Sequence, residues 1–495
     1  MNDERLWAVT GVTIVDVETG ELRSDETIVV RHGVIEAVGP AESATLPAGT
    51  LVVDEHGRYA IPGLWDMHVH IRGGPALEAA NERWLRQYLA FGVTSVRDAA
   101  GDLSDAVLRW KAAIARGEIY GPRIFTALRK IDGPDGVWLG SIPVSSREEA
   151  AKALDALRSE GADFVKVYDG SIAPDVYIDV LEEAERRGLR TAAHVPLSVP
   201  FVDAIEAGLD SVEHAFHLVK AANPSDRAAS RAFARDGIPE DFEPFFVAVS
   251  ALGEAADERT ARKVFREMAQ RGTALTPTLY IRRAWNRLGE DGLGEDGLGE
   301  DGLGEDSFVD GGLGEDARGG NGRRGLSSLA EDNPRLEAVP PEIRKTYGPA
   351  LDIFLARTDE ERASDLRLEK ISLRLTRLAA EEGVTILAGT DTGADNPLAY
   401  PGDSLHRELE TLVDAGLTPL QALRAATLEP ARWFGKADEL GTIAKGKLAD
   451  FVILEANPLE DISRTRSIAA VVQQGVFFDR RERDDLAALQ EERRP

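Results

Sequence analysis

Eight histidines are spread over 495 residues, and two of them, His68 and His70, stand one residue apart in the stretch "IPGLWDMHVHIRGG" (61–74). Alternate residues of a β-strand project from the same face, so in a strand these two imidazoles point the same way. Imidazole is the commonest protein ligand for transition metals, although a lone histidine on a strand is as readily a hydrogen-bonded core residue. Other strand-like runs shift the balance towards a metal. Lys166 lies in "FVKVYDG", His194 closes "RTAAHV", His214 lies in "DSVEHAF" and Asp391 closes "VTILAGTD". Nitrogen or carboxylate groups thus stand near the ends of five apolar runs, and four of the eight histidines are among them. Imidazole and carboxylate suit Zn²⁺, with Mn²⁺, Co²⁺ or Fe²⁺ also compatible. His217, His406 in "GDSLHRELE", Tyr168 and Tyr280 are the further candidates for touching a substrate. His32 and His56 fall in turns and read as surface residues.

The elements that must position these groups follow from periodicity. Residues 6–60 read as strands with turns at "DVETGE", "RHG" and "DEHG". From residue 61, short β-rich runs alternate with amphipathic helical stretches, the pattern of a parallel sheet. The runs that read as strands are 64–70, 93–99, 123–128, 163–170, 190–195, 210–216, 274–280 and 384–391. Helices are expected over 147–160, 174–187 and 201–207, and within 416–435, where Thr418 caps and Pro419 opens the first turn. Strand character returns after residue 438. The expected fold is α/β: a (β/α)8 TIM-like barrel over 62–437, with a small composite β-sandwich formed by 1–61 and 438–495. Such a barrel would gather the strand-end groups at one mouth. "LGED" occurs five times within 288–316, a segment without a basic residue. Glycine and acid at that density cannot bury a core, so a disordered insertion is expected there.

Composition narrows the function classes. There is no cysteine, which excludes disulfides, thiolate metal sites and cysteine nucleophiles. A formal charge of −28 argues against nucleic acid or an anionic membrane as partner. The N-terminus "MNDERLWAVT" has neither a basic nor an apolar leader, so a cytoplasmic protein acting on a small molecule is expected. A second copy of the chain is the one macromolecular partner this leaves open.

The motifs "PGLWDMHVH", "FVKVY", "AAHVP", "SVEHAF", "LAGTDTG" and "GTIAKGKLADFVILEANPLEDI" resemble those of the amidohydrolase superfamily. Within it they look like the imidazolonepropionase-related and Xaa-Pro dipeptidase-like metal hydrolases, over about residues 6–475 apart from the acidic repeat. The resemblance implies a binuclear centre at the C-terminal ends of the barrel strands. It gives one divalent ion, of a type such as Zn²⁺, to His68, His70 and Asp391, and a second to His194 and His214. Lys166, carboxylated by CO₂, would bridge both. An unmodified ammonium cannot ligate a cation, so the reading of Lys166 that does without the carbamate is a lysine paired with an acid such as Asp169. Imidazolonepropionases lack this lysine. Deaminases of the superfamily place a glutamate three residues after a metal-region histidine, where this chain has Leu197 and His217. The implied activity is hydrolysis of a C–N bond in a small substrate, such as an Xaa-Pro-like dipeptide or an N-acyl amino acid, with Asp391 as catalytic proton shuttle. A lactonase or phosphotriesterase on the same centre is the alternative. A non-catalytic scaffold would be expected to have lost ligands, and all six positions are filled.

Overall fold

The computed structural model describes residues 6–43, 46–239, 241–287 and 339–488. The expected insertion at 288–316 lies outside the described residues. Among those described, no helix is long and apolar enough to cross a membrane.

Strands from the two ends of the chain share one sheet. β1 (Trp7–Val15), β2 (Leu22–Arg31), β3 (Val34–Pro40), β4 (Leu51–Asp54) and β5 (Tyr59–Pro62) come from the N-terminal part. They join three later strands, Phe451–Leu454, Ile468–Gln473 and Val476–Phe478. Tyr59–Pro62 is the seam, parallel to β1 through Thr13 and Tyr59 and antiparallel to Phe451–Leu454 through Pro62 and Phe451. Trp7, Val9, Ile14 and Ile28 pack with Phe451, Ile453, Val472 and Phe477 in a common core. The described strands pair in a single mixed sheet, so the expected composite of the two chain ends is seen and the sandwich only in part.

Gly63 alone separates β5 from β6 (Leu64–His70). A Cβ on Gly63 would lie 2.2 Å from Thr94 Oγ1, so only glycine lets β6 lie against β7 (Val93–Asp98). With β8 (Arg123–Thr126) these strands form one parallel sheet, which Thr392–Gly393 joins on the other side of β6. A second parallel sheet contains β9 (Lys130–Asp132), β10 (Ile142–Pro143), β11 (Val165–Val167), β12 (Thr191–Ala193), β13 (Ser211–Glu213) and β14 (Ala274–Thr276). Every residue of β6, β7 and β11 to β14 is buried, including the polar and charged ones that β6, β7, β11 and β13 carry among their apolar residues. The helices between them follow the sequence closely. In Arg147–Glu160, Ser146 caps the first turn by accepting from Glu149 N, and Gly161 ends the helix in a left-handed conformation. Ala150, Ala153, Leu154 and Leu157 form its buried stripe.

The eighth expected strand is corrected by the structure. Residues 385–391 do run between β14 and β6: Leu275 N donates to Thr385 O, Leu387 N to Leu275 O, Met67 N to Ala388 O, and Asp391 N to His68 O. Only Ile386 forms a ladder bridge, however, and regular pairing begins at β15 (Thr392–Gly393). Asp391 has φ 59°, a left-handed turn that an extended ladder cannot contain. Leu128, φ 59°, similarly cuts the expected 123–128 strand to β8 and separates it from β9, a strand that was not anticipated.

Candidate metal centre

β6 presents His68 and His70 on one face, as the one-residue spacing requires. His70 Nδ1 lies 2.7 Å from the Ala100 carbonyl oxygen, which can only accept. Nδ1 therefore carries the hydrogen, and the lone pair of Nε2 faces Asp391 Oδ1 at 3.3 Å. His68 donates from Nδ1 to Glu213 Oε2 at 2.5 Å. Its Nε2 is buried without a hydrogen-bond partner, 3.6 Å from the same Asp391 oxygen. Burial holds His68 well below the usual imidazole range and His70 at about 4, so both rings are neutral at neutral pH. Burial works against the Asp391 charge, but the adjoining His70, His214 and His68 side chains outweigh it and keep this carboxyl ionised. Three acceptors thus converge with no proton between them. A cation satisfies that arrangement.

The second group lies one ring away. His214 stands 4.7 Å, ring to ring, from both His68 and His194. His194 Nδ1 contacts Asp169 Oδ1 at 2.8 Å, and His214 Nδ1 contacts Thr278 Oγ1 at 2.7 Å. The Nε2 atoms of His194 and His214 consequently face each other at 3.0 Å. Burial lowers both imidazoles strongly, so both are neutral; His194 keeps its hydrogen on Nδ1 against Asp169, and its Nε2 lone pair faces His214 Nε2. Lys166, on β11, is fully buried, with Nζ lacking any hydrogen bond among the described residues. Burial lowers its amine to about 8, while Glu213 opposes that shift. The donor set therefore fits divalent cations, with the orphaned Nε2 of His68 and the facing imidazoles as nitrogen donors.

Backbone strain gathers at the same place. Ala100, Leu128, His214, Thr278 and Asp391 all have positive φ, at the ends of β7, β8, β13 and β14 and at the 385–391 segment. Such positions cost about 1–3 kcal/mol each and cluster at functional sites. Gly389 supplies the close approach: a Cβ there would lie 2.8 Å from His68 Cβ.

The four expected substrate contacts separate. Tyr168 is beside the cluster, its ring 4.6 Å from that of His194. His217 is buried 5.3 Å from the His194 ring and 4.0 Å from Asp169 Oδ2, so Asp169, His194 and His217 also form a compact set of ligand atoms. His406 has different partners from those expected. It is fully buried, with Nδ1 against Thr465 Oγ1 and Nε2 against Phe91 O, both at 3.0 Å, which leaves neither nitrogen for a substrate. Tyr280 packs with the Leu77, Trp84 and Ile343 cluster, its amide bonded to Glu408.

Sequence reasoning missed the groups that hold the histidines. Glu213 takes Arg97 Nη2 on both oxygens at 2.7 Å and Ser211 Oγ at 2.6 Å, and so is the fixed anion that orients His68. Burial disfavours its charge, yet Arg97 and Lys166 lower it overall. The available signal was a charged residue inside an apolar strand, in "SVEHAF" and "TSVRD". Glu213→Gln is expected to weaken metal affinity about 10–100-fold, as loss of an orienting carboxylate does. Chelator competition on the purified variant measures this; unchanged affinity would remove Glu213 from the centre.

Comparison with known proteins bears on the same residues. A family model described as "Amidohydrolase family" matches residues 59–295 and 350–477. Ochratoxinase of Aspergillus niger is 37% identical over 119 residues, 23% of this chain and 23% of that protein. The match thus spans about a quarter of that relative's length. Its solved structure superposes with a TM-score of 0.62 at 19% identity, covering 97% of this chain and 96% of the other. A Xaa-Pro dipeptidase with methionine bound in its active site gives 0.63 at 19%, covering 96% and 100%. A bottromycin amidohydrolase gives 0.66 at 23%, covering 98% and 89%.

Proposed function

The chain belongs to the amidohydrolase family, and we propose that it is a metal-dependent hydrolase that cleaves the amide bond of a small substrate, an Xaa-Pro-like dipeptide or an N-acyl amino acid. The observation that carries this reading is the convergence of the His68 and His70 Nε2 lone pairs on Asp391, with His194 Nε2 and His214 Nε2 3.0 Å apart in the neighbouring group. In this reading the two parallel sheets are arcs of one eight-stranded barrel, an interpretation supported by the backbone bonds of residues 385–391 to both β14 and β6.

His68, His70 and Asp391 would hold one divalent ion, and His194 and His214 the other, with Lys166 carboxylated between them. When bound, such ions acidify water and polarise a carbonyl. The chain's own groups do the rest. Ala100 O, Glu213, Asp169 and Thr278 fix the orientation of four imidazoles through their Nδ1 atoms. Asp391 is 28% exposed where the His68 and His70 side chains are at most 7%, so its carboxylate faces the side from which a substrate comes. It takes a proton from the attacking water and delivers it to the departing nitrogen. Tyr168, beside His194, supplies a wall for the substrate.

Two measurements test this. Metal-loaded protein offered dipeptides, N-acyl amino acids, lactones and aryl phosphotriesters should turn over amides; turnover confined to lactones or phosphotriesters would overturn the substrate assignment. Elemental analysis should find about two metal equivalents per chain, falling by roughly half in Lys166→Met. One equivalent at full activity would remove the bridging lysine.

A further inference from the structure

A second buried lysine stands beside the centre with no role in it. Lys130 opens β9 and is the Cα partner of Lys166 on β11, so the two side chains leave neighbouring strands on the same face. It is 3% exposed, and among the described residues its Nζ has no hydrogen bond and no ion pair. Two rings flank it instead, Trp138 at 4.8 Å and Tyr168 at 5.0 Å. Tyr168 is the ring that also touches His194, and so it spans the distance between Lys130 and the proposed metal ligands. Of the cations nearby, Lys166 belongs to the centre and Arg72 is already paired: it lies 4.1 Å over Trp138 and donates from Nε to Asp395 Oδ1 at 2.6 Å.

We propose that Lys130 is the specificity-determining residue that recognises a free carboxylate next to the scissile amide of the substrate. The inference rests on the hydrolase reading above and narrows it. Removing an ammonium from water without hydrogen-bond partners is costly, and facing aromatic rings return only part of that cost. Its N–H donors are left for an anion. The Trp138 loop lies at the surface, with Trp138 only half-buried and its neighbours Val137 and Leu139 71% and 78% exposed, so Lys130 stands under a solvent-facing loop. In a dipeptide or an N-acyl amino acid, only the nitrogen and the α-carbon separate the scissile carbonyl from the carboxylate. One anion can therefore reach Lys130 while the amide lies at the histidines, and Tyr168 lines the path between.

The test is equilibrium binding of products, which does not depend on turnover. Metal-replete protein is titrated calorimetrically with the common L-amino acids, and the tightest is compared with the amino alcohol that lacks its carboxylate. The expected result is that the acid binds at least about tenfold tighter than the alcohol, the effect of one charge-assisted hydrogen bond. Lys130→Met should lose the same factor for the acid and little for the alcohol. The proposal is overturned if no amino acid binds, if acid and alcohol bind alike in the wild-type protein, or if Lys130→Met leaves their ratio unchanged. A drop in metal content in Lys130→Met with that ratio preserved would assign Lys130 to the Lys166 carbamate instead. The wild-type comparison needs no variant to fold. Failure here with amide turnover intact would leave the hydrolase reading standing, whereas absence of amide turnover with acid-selective binding would do the reverse.

Discussion

Asp391→Asn is expected to keep its metal and to lose kcat by roughly 10²–10⁴-fold, the usual worth of a positioned general acid–base. The substitution preserves shape. An asparagine oxygen can still stand 3.3 Å from His70 Nε2 and 3.6 Å from His68 Nε2, where Asp391 Oδ1 lies. The left-handed backbone at φ 59° also tolerates asparagine better than most residues. What is lost is the capacity to take a proton and give it back. Because that interaction develops in the transition state, kcat and kcat/KM should fall together. Steady-state kinetics combined with elemental analysis of the same sample is the measurement. Near-normal turnover with metal bound would sink the shuttle role, and simultaneous loss of metal would show that Asp391 is needed first as a ligand.

Arg97→Met is expected to destabilise the fold by about 3–5 kcal/mol, the cost of stranding one partner of a buried pair. Arg97 and Glu213 are both 0% exposed. Through Nε, Arg97 donates to Met67 O at 2.5 Å; through Nη2 it donates to Glu213 and, at 2.9 Å, to Thr276 Oγ1. It thus connects β6, β7, β13 and β14 beneath the histidines, with the Trp433 ring 4.9 Å from the guanidinium carbon. Methionine fills the volume but leaves the Glu213 carboxylate without its main counter-charge. Chemical denaturation of the metal-free proteins should show the shift in midpoint. A double variant, Arg97→Met with Glu213→Leu, should recover much of the stability, since an apolar pair of similar size is tolerated where a broken ion pair is not. Its metal affinity should stay low, because His68 Nδ1 would have no carboxylate to orient it. A single variant as stable as the parent would mean that the pair contributes nothing to the fold.

The shared face of the two β6 histidines was legible in the chain because strand periodicity is local. His68 and His70 share a face by virtue of one intervening residue, and no distant part of the molecule can alter that. The succession of apolar runs and helices likewise announced parallel sheets, and the caps at Ser146 and Thr418 act within one turn of themselves. Residues 384–391 were read as an eighth strand, but their departure from a regular ladder depends on φ at Asp391, which no pattern of residue types reports. Partners separated in sequence were beyond reach for the same reason. Glu213 meets His68 across 145 positions, and His406 spends both nitrogens on Phe91 and Thr465, 315 and 59 positions away. Lys166 stands in the apolar run "FVKVY" and Lys130 in the charged stretch "RKID", and neither context reports what surrounds the side chain. Only packing decides that one stands among imidazoles and carboxylates while the other faces two aromatic rings, because the chemistry of a buried charge is set by whatever the fold brings within a few ångströms of it.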